Sequence, residues 1–341
     1  MLTSKEFAKM LNVSQSTVSR ALSGSNQVSE ETRRYISQKA EEVGFVLNSQ
    51  AQSLKMKKSG TVGILFPSYF ESLSKNMMFT YIYDCILKHL LQFNYDVMII
   101  YDENPGSKLT VLERAIKSCK VDGFISLHST LTKNEVSMIS KYRFPCVHIF
   151  QTLDSLYTIN QFGCDEYTIG KIAGINYAYL EEHRIEYIGT QINRFSSDER
   201  LRGFKDGLAT QGKTIDKVAI NTDFSMTEAY QTIRDQQEWL EKGKTALFVY
   251  NDMMALGVVR AAIDIGLNVP EDIKIIGVDD VPISDWLPPR LSTIHIPVEE
   301  MVYDSCEKLC ELLNNQHAVD PKTVYYQPSL IHRDTTLVSD L

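Results

Sequence analysis

Two long polar side chains near the N-terminus, Gln15 and Arg20, lie within a run of small hydroxyl residues. Gln pairs with adenine through two hydrogen bonds and Arg pairs with guanine in the same way, so these residues suit the reading of base edges. The hydroxyl residues that accompany them, and that suit further contacts with bases or phosphates, are Ser14, Ser16 and Thr17. The chemistry indicated is hydrogen bonding to a DNA duplex.

Two short helices are predicted to position these side chains. Apolar residues recur at helical spacing over residues 5–11, and residues 12–13 predict a tight break. Ser14 then stands where the N-cap of a second helix is required. One face of that second helix is apolar, through Val18, Ala21 and Leu22. This layout is typical of a helix-turn-helix, whose second helix presents its first residues to the major groove, although a helical hairpin with a polar face has the same pattern.

The motifs that follow favour the helix-turn-helix. Residues 28–34 read VSEETRR and predict a third helix with a serine cap and an acidic first turn. With TVSR at residues 17–20 and AEEVGF at residues 40–45, the chain resembles the LacI/GalR family of bacterial transcription regulators along its whole length. The resemblance implies a helical head, a core with the periplasmic-binding-protein fold, and a homodimer on a pseudo-palindromic operator.

Residues 48–58 connect the predicted head to the rest of the chain. They are polar and would be marginal as an isolated helix, so composition alone indicates a solvated linker. The resemblance implies instead a hinge that folds on operator DNA, with Leu54 wedged into the minor groove and Lys55 beside it as a further contact. Leu47 and Gln52 stand where Pro and Arg are frequent in the family, which predicts weaker phosphate contacts than usual.

Charge is distributed unevenly along the chain. The 341 residues carry a net charge of −8, but residues 1–58 hold nine Lys or Arg and five Glu, so the head carries +4 and the remainder −12. A basic head on an acidic body is typical of a DNA-binding module joined to a domain with another task. The N-terminus lacks a signal-peptide pattern, and the six scattered cysteines read as reduced thiols, so a cytoplasmic protein is predicted.

From Thr61 onwards, continuous apolar segments alternate with amphipathic ones, as in parallel sheets that are covered on both faces. Strands are predicted at residues 62–66, 95–101, 123–127, 146–150, 187–189, 246–249 and 273–278. Helices are predicted at residues 79–91, 108–119, 132–142, 167–181, 199–211, 226–240 and 253–266. Because the pattern restarts after Phe162, we expect two doubly wound α/β lobes with a ligand cleft between the carboxyl ends of their strands.

The resemblance also implies that the chain crosses between the lobes three times, which we place near Asn160, Pro289 and Gln327. The predicted domains are a head at residues 1–47, a hinge at 48–58 and an effector-binding and dimerisation domain at 59–341. Within that domain the N-lobe comprises about 59–160 and 290–326, and the C-lobe about 161–289 and 327–341.

One motif suggests nucleotide binding and is rejected on its context. Residues 207–214 read GLATQGKT and match the P-loop expression. A P-loop follows a strand and begins a helix, whereas here a helix is predicted to end at Gly212. No catalytic arrangement of residues is found in the sequence, and no metal or other cofactor is predicted, so an enzyme is not expected.

Three polar residues stand where predicted strands end or a helix begins in the second lobe: Arg200, Asn251 and Asp279. Each is of a type that also serves as a cap or turn residue. Together they supply a guanidinium, an amide and a carboxylate, which suit sugar hydroxyls or a nucleobase. The resemblance matches them to the effector-binding residues of sugar-responsive members and adds two aromatic residues, Phe162 and Phe224, which are equally suited to a hydrophobic core.

The sequence therefore predicts a dimeric operator-binding regulator, a repressor of a carbohydrate-utilisation operon controlled by a small sugar or sugar phosphate. Two alternatives stay open. One is a purine-responsive regulator on the same scaffold, and the other is a small-molecule-binding metabolic protein with an unused head. The effector, the operator and the direction of the response are not specified by the sequence.

Overall fold

The computed structural model describes residues 2–22, 27–45, 58–66, 76–100, 110–127, 131, 133–150, 159–192, 194–314 and 321–337. The first two of these segments form a three-helix head. Its helices are α1 (Ser4–Met10), α2 (Gln15–Leu22) and α3 (Glu30–Val43). Thr3 and Glu6 form a capping box at the start of α1, and the left-handed residue Asn12 turns the chain into α2. The helices enclose a small core of Phe7, Ala8, Val18, Ala21, Ile36, Ala40 and Phe45. The predicted helix-turn-helix head is confirmed.

The first lobe is built on a sheet of parallel strands. Its strands are β1 (Thr61–Leu65), β2 (Asp96–Ile100), β3 (Gly123–Ser126), β4 (Cys146–Phe150), β5 (Asn160–Cys164) and β11 (Thr323–Tyr326). They lie in the order β11-β5-β4-β3-β1-β2. The central strands are buried apolar runs, which is why both faces of the sheet must be covered by helices.

The second lobe repeats this design with one antiparallel strand at its edge. Its strands are β6 (Arg184–Thr190), β7 (Lys217–Asn221), β8 (Thr245–Val249), β9 (Ile273–Asp279), β10 (Ser292–His295) and β12 (Ser329–Ile331). They lie in the order β12-β10-β9-β8-β6-β7, and β12 pairs antiparallel with β10.

Helices cover both sheets. The helices of the first lobe are α4 (Met77–Gln92), α5 (Val111–Lys117), α6 (Lys133–Tyr142) and α13 (Val298–Asn314). Those of the second lobe are α7 (Glu166–Ala178), α8 (Arg194–Ala209), α9 (Met226–Arg234), α10 (Gln237–Leu240), α11 (Asp252–Asp264) and α12 (Ile283–Trp286). Helices α7 and α8 pack against each other on one side of the second sheet, while α9 and α11 pack together on the other. The predicted pair of α/β lobes is confirmed.

Two of the predicted crossings between the lobes are wrong by several residues. Strand β5 begins at Asn160 but still belongs to the first sheet, so the chain leaves this lobe after Cys164. Strand β10 follows Pro289 but belongs to the second sheet, so the return lies after His295. Each crossing was placed before a strand, β5 or β10, that still pairs with the sheet of the lobe that the chain is leaving. Neither of these two strands was predicted from the sequence. The third crossing lies between β11 and β12, around Gln327.

Several further details differ from the sequence predictions. Strands β5, β7, β10, β11 and β12 were not predicted. Of these, β7 is an edge strand that is only partly buried and lacks a continuous apolar run. The predicted helix over residues 226–240 is two helices, α9 and α10, which are separated at Asp235 and Gln236. The P-loop-like string lies at the end of α8, and Gly212 there has a φ of 67°, so this segment closes a helix.

No helix of the described residues is long and apolar enough to cross a bilayer.

Candidate functional site

The exposed side of α2 carries the side chains predicted to contact DNA. Gln15 and Arg20 are exposed, and Ser16 and Thr17 are half-buried. The Ser14 hydroxyl accepts a hydrogen bond from the Thr17 amide at 3.0 Å, so Ser14 caps the helix. Its oxygen also lies 2.7 Å from the Ser16 and Thr17 hydroxyl oxygens. The first turn of α2 thus presents a connected row of polar groups. Leu54 and Lys55 lie outside the described residues.

A second polar cluster lies at the carboxyl edge of the second sheet, around Arg200. This side chain is 8% exposed, and its Nε donates a hydrogen bond of 2.6 Å to Glu166. Its Nη1 donates to the carbonyl oxygen of Tyr250. The Ser196 hydroxyl donates to the other oxygen of Glu166 at 3.1 Å. The guanidinium is therefore anchored on one side by a buried ion pair and a backbone carbonyl.

Glycines on α7 and α8 allow the close approach that forms this ion pair. A Cβ atom at Gly170 would lie 1.9 Å from the carbonyl oxygen of Arg200, and one at Gly203 would lie equally close to the carbonyl oxygen of Tyr167. Any larger residue at these positions would push the two helices apart. The contact brings the first turn of α7, which carries Glu166, against α8, which carries Arg200.

Aromatic rings extend the cluster. The Arg200 guanidinium lies 4.4 Å from the centre of the Tyr250 ring, within the range of a cation–π contact. The Phe224 ring stacks on Tyr250 with centroids 5.5 Å apart. Asn251 follows Tyr250, and its side-chain oxygen accepts a hydrogen bond of 2.9 Å from the Met254 amide as the N-cap of α11. A planar cation, two rings and an amide thus converge at the end of β8.

Asp279 supplies a carboxylate to the same edge. It is the last residue of β9 and has a φ of 117°, a left-handed conformation that is unfavourable for a residue with a side chain. Within the described part of the chain, no hydrogen bond is recorded for its carboxylate. Burial and the neighbouring Asp252 raise the pKa of Asp279, while Arg200 lowers it, and the net shift is upward. An acceptor without a partner, held in a strained turn, is typical of a ligand-binding position.

The buried carboxyl group of Asp252 holds the turn that carries Asp279 through hydrogen bonds. Asp252 is fully buried and accepts hydrogen bonds from the Ser284 hydroxyl at 2.7 Å, the Thr293 hydroxyl at 2.6 Å and the Val281 amide at 3.1 Å. Burial raises the pKa of Asp252 to about 7, against 3.8 for an ordinary Asp. Asp252 thereby connects α11, α12 and β10 to the turn that carries Asp279.

We expect a pH dependence of stability from Asp252. Between about pH 4 and pH 7 the native carboxyl keeps a proton that the unfolded chain releases, so stability falls as the pH rises through this window. The expected loss is on the order of 2–4 kcal/mol. Denaturant unfolding at pH 4, 5.5 and 7 measures it. Asp252→Asn should flatten the slope, whereas Asp264→Asn, at the exposed end of the same helix, should keep it. An unchanged slope in Asp252→Asn would assign the effect to other groups.

Phe162 lies on β5 of the first lobe rather than in this cluster, and its predicted place in the cleft stays a prediction. Its side chain is buried among the apolar residues of the first lobe and lines a cavity of about 580 Å³ beside α13. The same cavity is lined by Asn160 and Lys322, which lie where β5 and β11 begin. A ligand cleft lies at the carboxyl ends of parallel strands, so this cavity is at the opposite edge. Side chains alternate along β5, and Phe162 falls on the face that α13 covers.

One residue of the cluster, Glu166, was not predicted from the sequence. Tyr250 and Asp252 flank Asn251 in the chain, so the position of this segment after a strand marks all three as candidates. Glu166 is 34 residues from Arg200 and resembles any acidic residue in the first turn of a helix. The loops that follow β1 to β4 in the first lobe lie outside the described residues.

Comparison with known proteins places this geometry in a family. Residues 3–48 match the profile of bacterial regulatory proteins of the lacI family, and residues 179–336 match a periplasmic-binding-protein-like domain. The chain is 30% identical over 317 residues to a probable HTH-type transcriptional repressor, ExuR, of Bacillus subtilis (strain 168). The aligned region covers 92% of each protein. The chain belongs to the LacI family.

The solved structures agree with this assignment at the level of the fold. A crystal structure of the lac repressor dimer bound to operator and the anti-inducer ONPF has a TM-score of 0.81 and 24% identity, and the match covers 98% of this chain and 99% of that one. A complex of the transcriptional regulator CelR with cellobiose has a TM-score of 0.69 and 21% identity over the same shares. This LacI-family protein is a DNA-binding transcriptional regulator with a core for a small-molecule effector.

Proposed function

We propose that this LacI-family regulator is a homodimeric repressor of a carbohydrate-utilisation operon, and that a small sugar in the cleft between the lobes controls its affinity for the operator. The observation that carries the proposal is the Asp279 carboxylate, which lacks a hydrogen-bond partner among the described residues and interacts electrostatically with Arg200. The Arg200 guanidinium in turn packs on Tyr250, whose ring stacks on Phe224.

These groups match the chemistry of a sugar. The Asp279 carboxylate accepts hydrogen bonds from two neighbouring hydroxyls, and N–H groups of Arg200 not held by Glu166 or Tyr250 donate to ring or hydroxyl oxygens. The face of Phe224 packs against the C–H groups of the ring. The similarity to a regulator whose structure contains cellobiose supports this choice of ligand.

A purine is the second candidate, because an aromatic face and paired polar groups also hold a nucleobase. The rings of Phe224 and Tyr250 stack on each other with centroids 5.5 Å apart, so a ligand cannot insert between them. A purine would therefore stack on one ring face only. Thermal-shift titrations with sets of sugars and purines discriminate between the two. Stabilisation by purines alone would replace the sugar proposal.

Asp279→Asn tests the proposed site. The change should weaken binding of the sugar at least tenfold, because an amide replaces one of two acceptor oxygens with a donor, and one lost hydrogen bond to a charged group is worth roughly 1.5–3 kcal/mol. Operator affinity without sugar should stay within a factor of two, since Asp279 belongs to the effector-binding core and not to the three-helix head. Calorimetry and operator titrations measure the two effects. Asp235→Asn, which changes an exposed carboxylate after α9, is the matched control. Equal sugar affinity in all three proteins would remove Asp279 from the site.

The DNA-binding side of the proposal assigns base reading to Gln15 and Arg20, with Ser14, Ser16 and Thr17 contacting the backbone or bases. A dimer places two such helices in successive major grooves of a pseudo-palindromic operator. Leu54 and Lys55 are proposed to contact the minor groove between the half-sites. Binding of the sugar changes the arrangement of the two lobes and so the spacing of the hinges, which couples the cleft to DNA.

Arg20→Ala should reduce affinity for the operator by about 1–3 kcal/mol and relax the preference at one base pair in each half-site. Affinity for random DNA should fall much less, because phosphate contacts dominate there. Fluorescence anisotropy with both DNAs at one salt concentration measures the difference. Equal losses on the two DNAs would show that Arg20 contacts phosphate only.

A further inference from the structure

We infer that the cleft is built for an uncharged effector and that Glu166 sets this preference, so that a sugar phosphate, a uronate or a nucleotide is rejected. The inference rests on the proposal that the effector binds at Arg200. It narrows the sugar or sugar phosphate suggested by the sequence to a neutral molecule.

Arg200 is the described cation that interacts electrostatically with Asp279. An arginine that holds a phosphate or carboxylate presents both arms of its fork to the anion. Here Nε is bound to Glu166 at 2.6 Å, and Nη1 is bound to the Tyr250 carbonyl. The ring of Tyr250 covers one face of the guanidinium at 4.4 Å. The fork is already occupied on one side, and its charge is neutralised by a carboxylate that is only 12% exposed.

Few cations surround the proposed ligand position. The Asp279 carboxyl has no hydrogen-bond partner among the described residues, and the buried Asp252 is its neighbour. The next basic side chain along this edge, Arg333, is bound to Asp280 at 2.7 Å and to Asp285 at 3.1 Å. Arg200 and Arg333 are therefore each already paired with carboxylates, so neither is left to neutralise an anionic ligand. An anion brought to this edge would lose its hydration without gaining a counter-charge, which is costly in a low-dielectric site.

Two contacts hold Glu166 in place beside Arg200. Its second oxygen accepts a hydrogen bond from the Ser196 hydroxyl, a side chain with no exposed surface. The close contact of α7 and α8 through Gly170 and Gly203 holds together the two helices that carry Glu166 and Arg200. The neutralising carboxylate is thus a fixed part of the site, and a ligand meets an Arg–Glu pair rather than a free guanidinium.

The test uses inorganic phosphate as the probe, in calorimetric titrations of the full-length protein at constant ionic strength. Wild type should show no saturable binding that depends on Arg200. Glu166→Gln keeps the length of the side chain and its acceptor for Nε but removes the negative charge, so phosphate should bind at least tenfold more tightly than to wild type. Glu199→Gln removes the same charge from an exposed ion pair with Arg202 on the same helix and should behave like wild type.

Saturable phosphate binding by wild type that is lost in Arg200→Lys would overturn the inference, and this arm needs no variant of Glu166 to fold. A folded Glu166→Gln protein, judged by circular dichroism and melting, that gains no phosphate affinity over Glu199→Gln would also overturn it. These outcomes are independent of the sugar proposal, which is tested by sugar binding and by Asp279→Asn. If the protein bound an uncharged purine and no sugar, the sugar proposal would fail and the preference for an uncharged effector would still hold.

Discussion

Arg200→Ala is expected to destabilise the effector-binding core by about 3–5 kcal/mol and to abolish the response to effector. The Glu166 carboxylate is 12% exposed and would lose its only counter-charge among the described residues, leaving an uncompensated charge in a buried position. Removing both charges in Arg200→Ala with Glu166→Ala should restore part of this stability. Denaturant unfolding of the three proteins measures the coupling between the two residues.

The matched control for this change is Arg202→Ala. Arg202 lies on the same helix and pairs with Glu199, but its side chain is 56% exposed. Ion pairs at the surface contribute about 0–1 kcal/mol, so Arg202→Ala should unfold close to wild type. If Arg200→Ala were no less stable than Arg202→Ala, the buried ion pair would not hold the cleft together.

Phe7→Ala should abolish operator binding while leaving the effector-binding core intact. Phe7 has no exposed surface, and its ring stacks on Phe45 with centroids 4.3 Å apart in a core of small helices. Truncation of a buried Phe to Ala costs about 3–5 kcal/mol, and a domain of this size has little stability to lose. Affinity for the operator should fall at least a hundredfold.

Anisotropy with operator DNA and calorimetry with the effector report the two halves of this prediction. Met10→Ala changes an apolar residue on the same helix that is 51% exposed, and it should retain operator binding. Loss of effector binding in Phe7→Ala would show that head and core fold as one unit. Retention of operator affinity would show that the helix-turn-helix tolerates a hole in its core.

Features that depend only on neighbouring residues could be predicted from the sequence. The cap at Ser14 and the apolar face of α2 depend on neighbouring residues, so the head could be predicted in detail. Asn251 lies just after β8 and Asp279 ends β9, and parallel strands end at a common edge, so their shared location with Arg200 could also be predicted. Their role in binding an effector stays a prediction.

What the sequence did not show depends on contacts between distant segments. The pairing of Glu166 with Arg200 requires two helices to touch through glycines, which no local pattern specifies. The sequence did not show whether Phe162 packs in the core or lines the cleft, because an aromatic residue in a buried strand suits both places. In the structure its ring is buried in the core, and a role in the cleft stays a prediction. Two lobe crossings were misplaced because β5 and β10, the strands that precede them, were not predicted from the sequence.

The most direct measurement is the dissociation constant of the full-length protein for its operator, obtained by DNA selection and then by anisotropy with and without a neutral sugar. The sugar is one that binds wild type and fails to bind Asp279→Asn. The account predicts specific binding to a pseudo-palindromic site and a change in operator affinity of at least fivefold when the sugar is present, with no change in Asp279→Asn. An operator affinity that is the same with and without a sugar bound at Asp279 would contradict it.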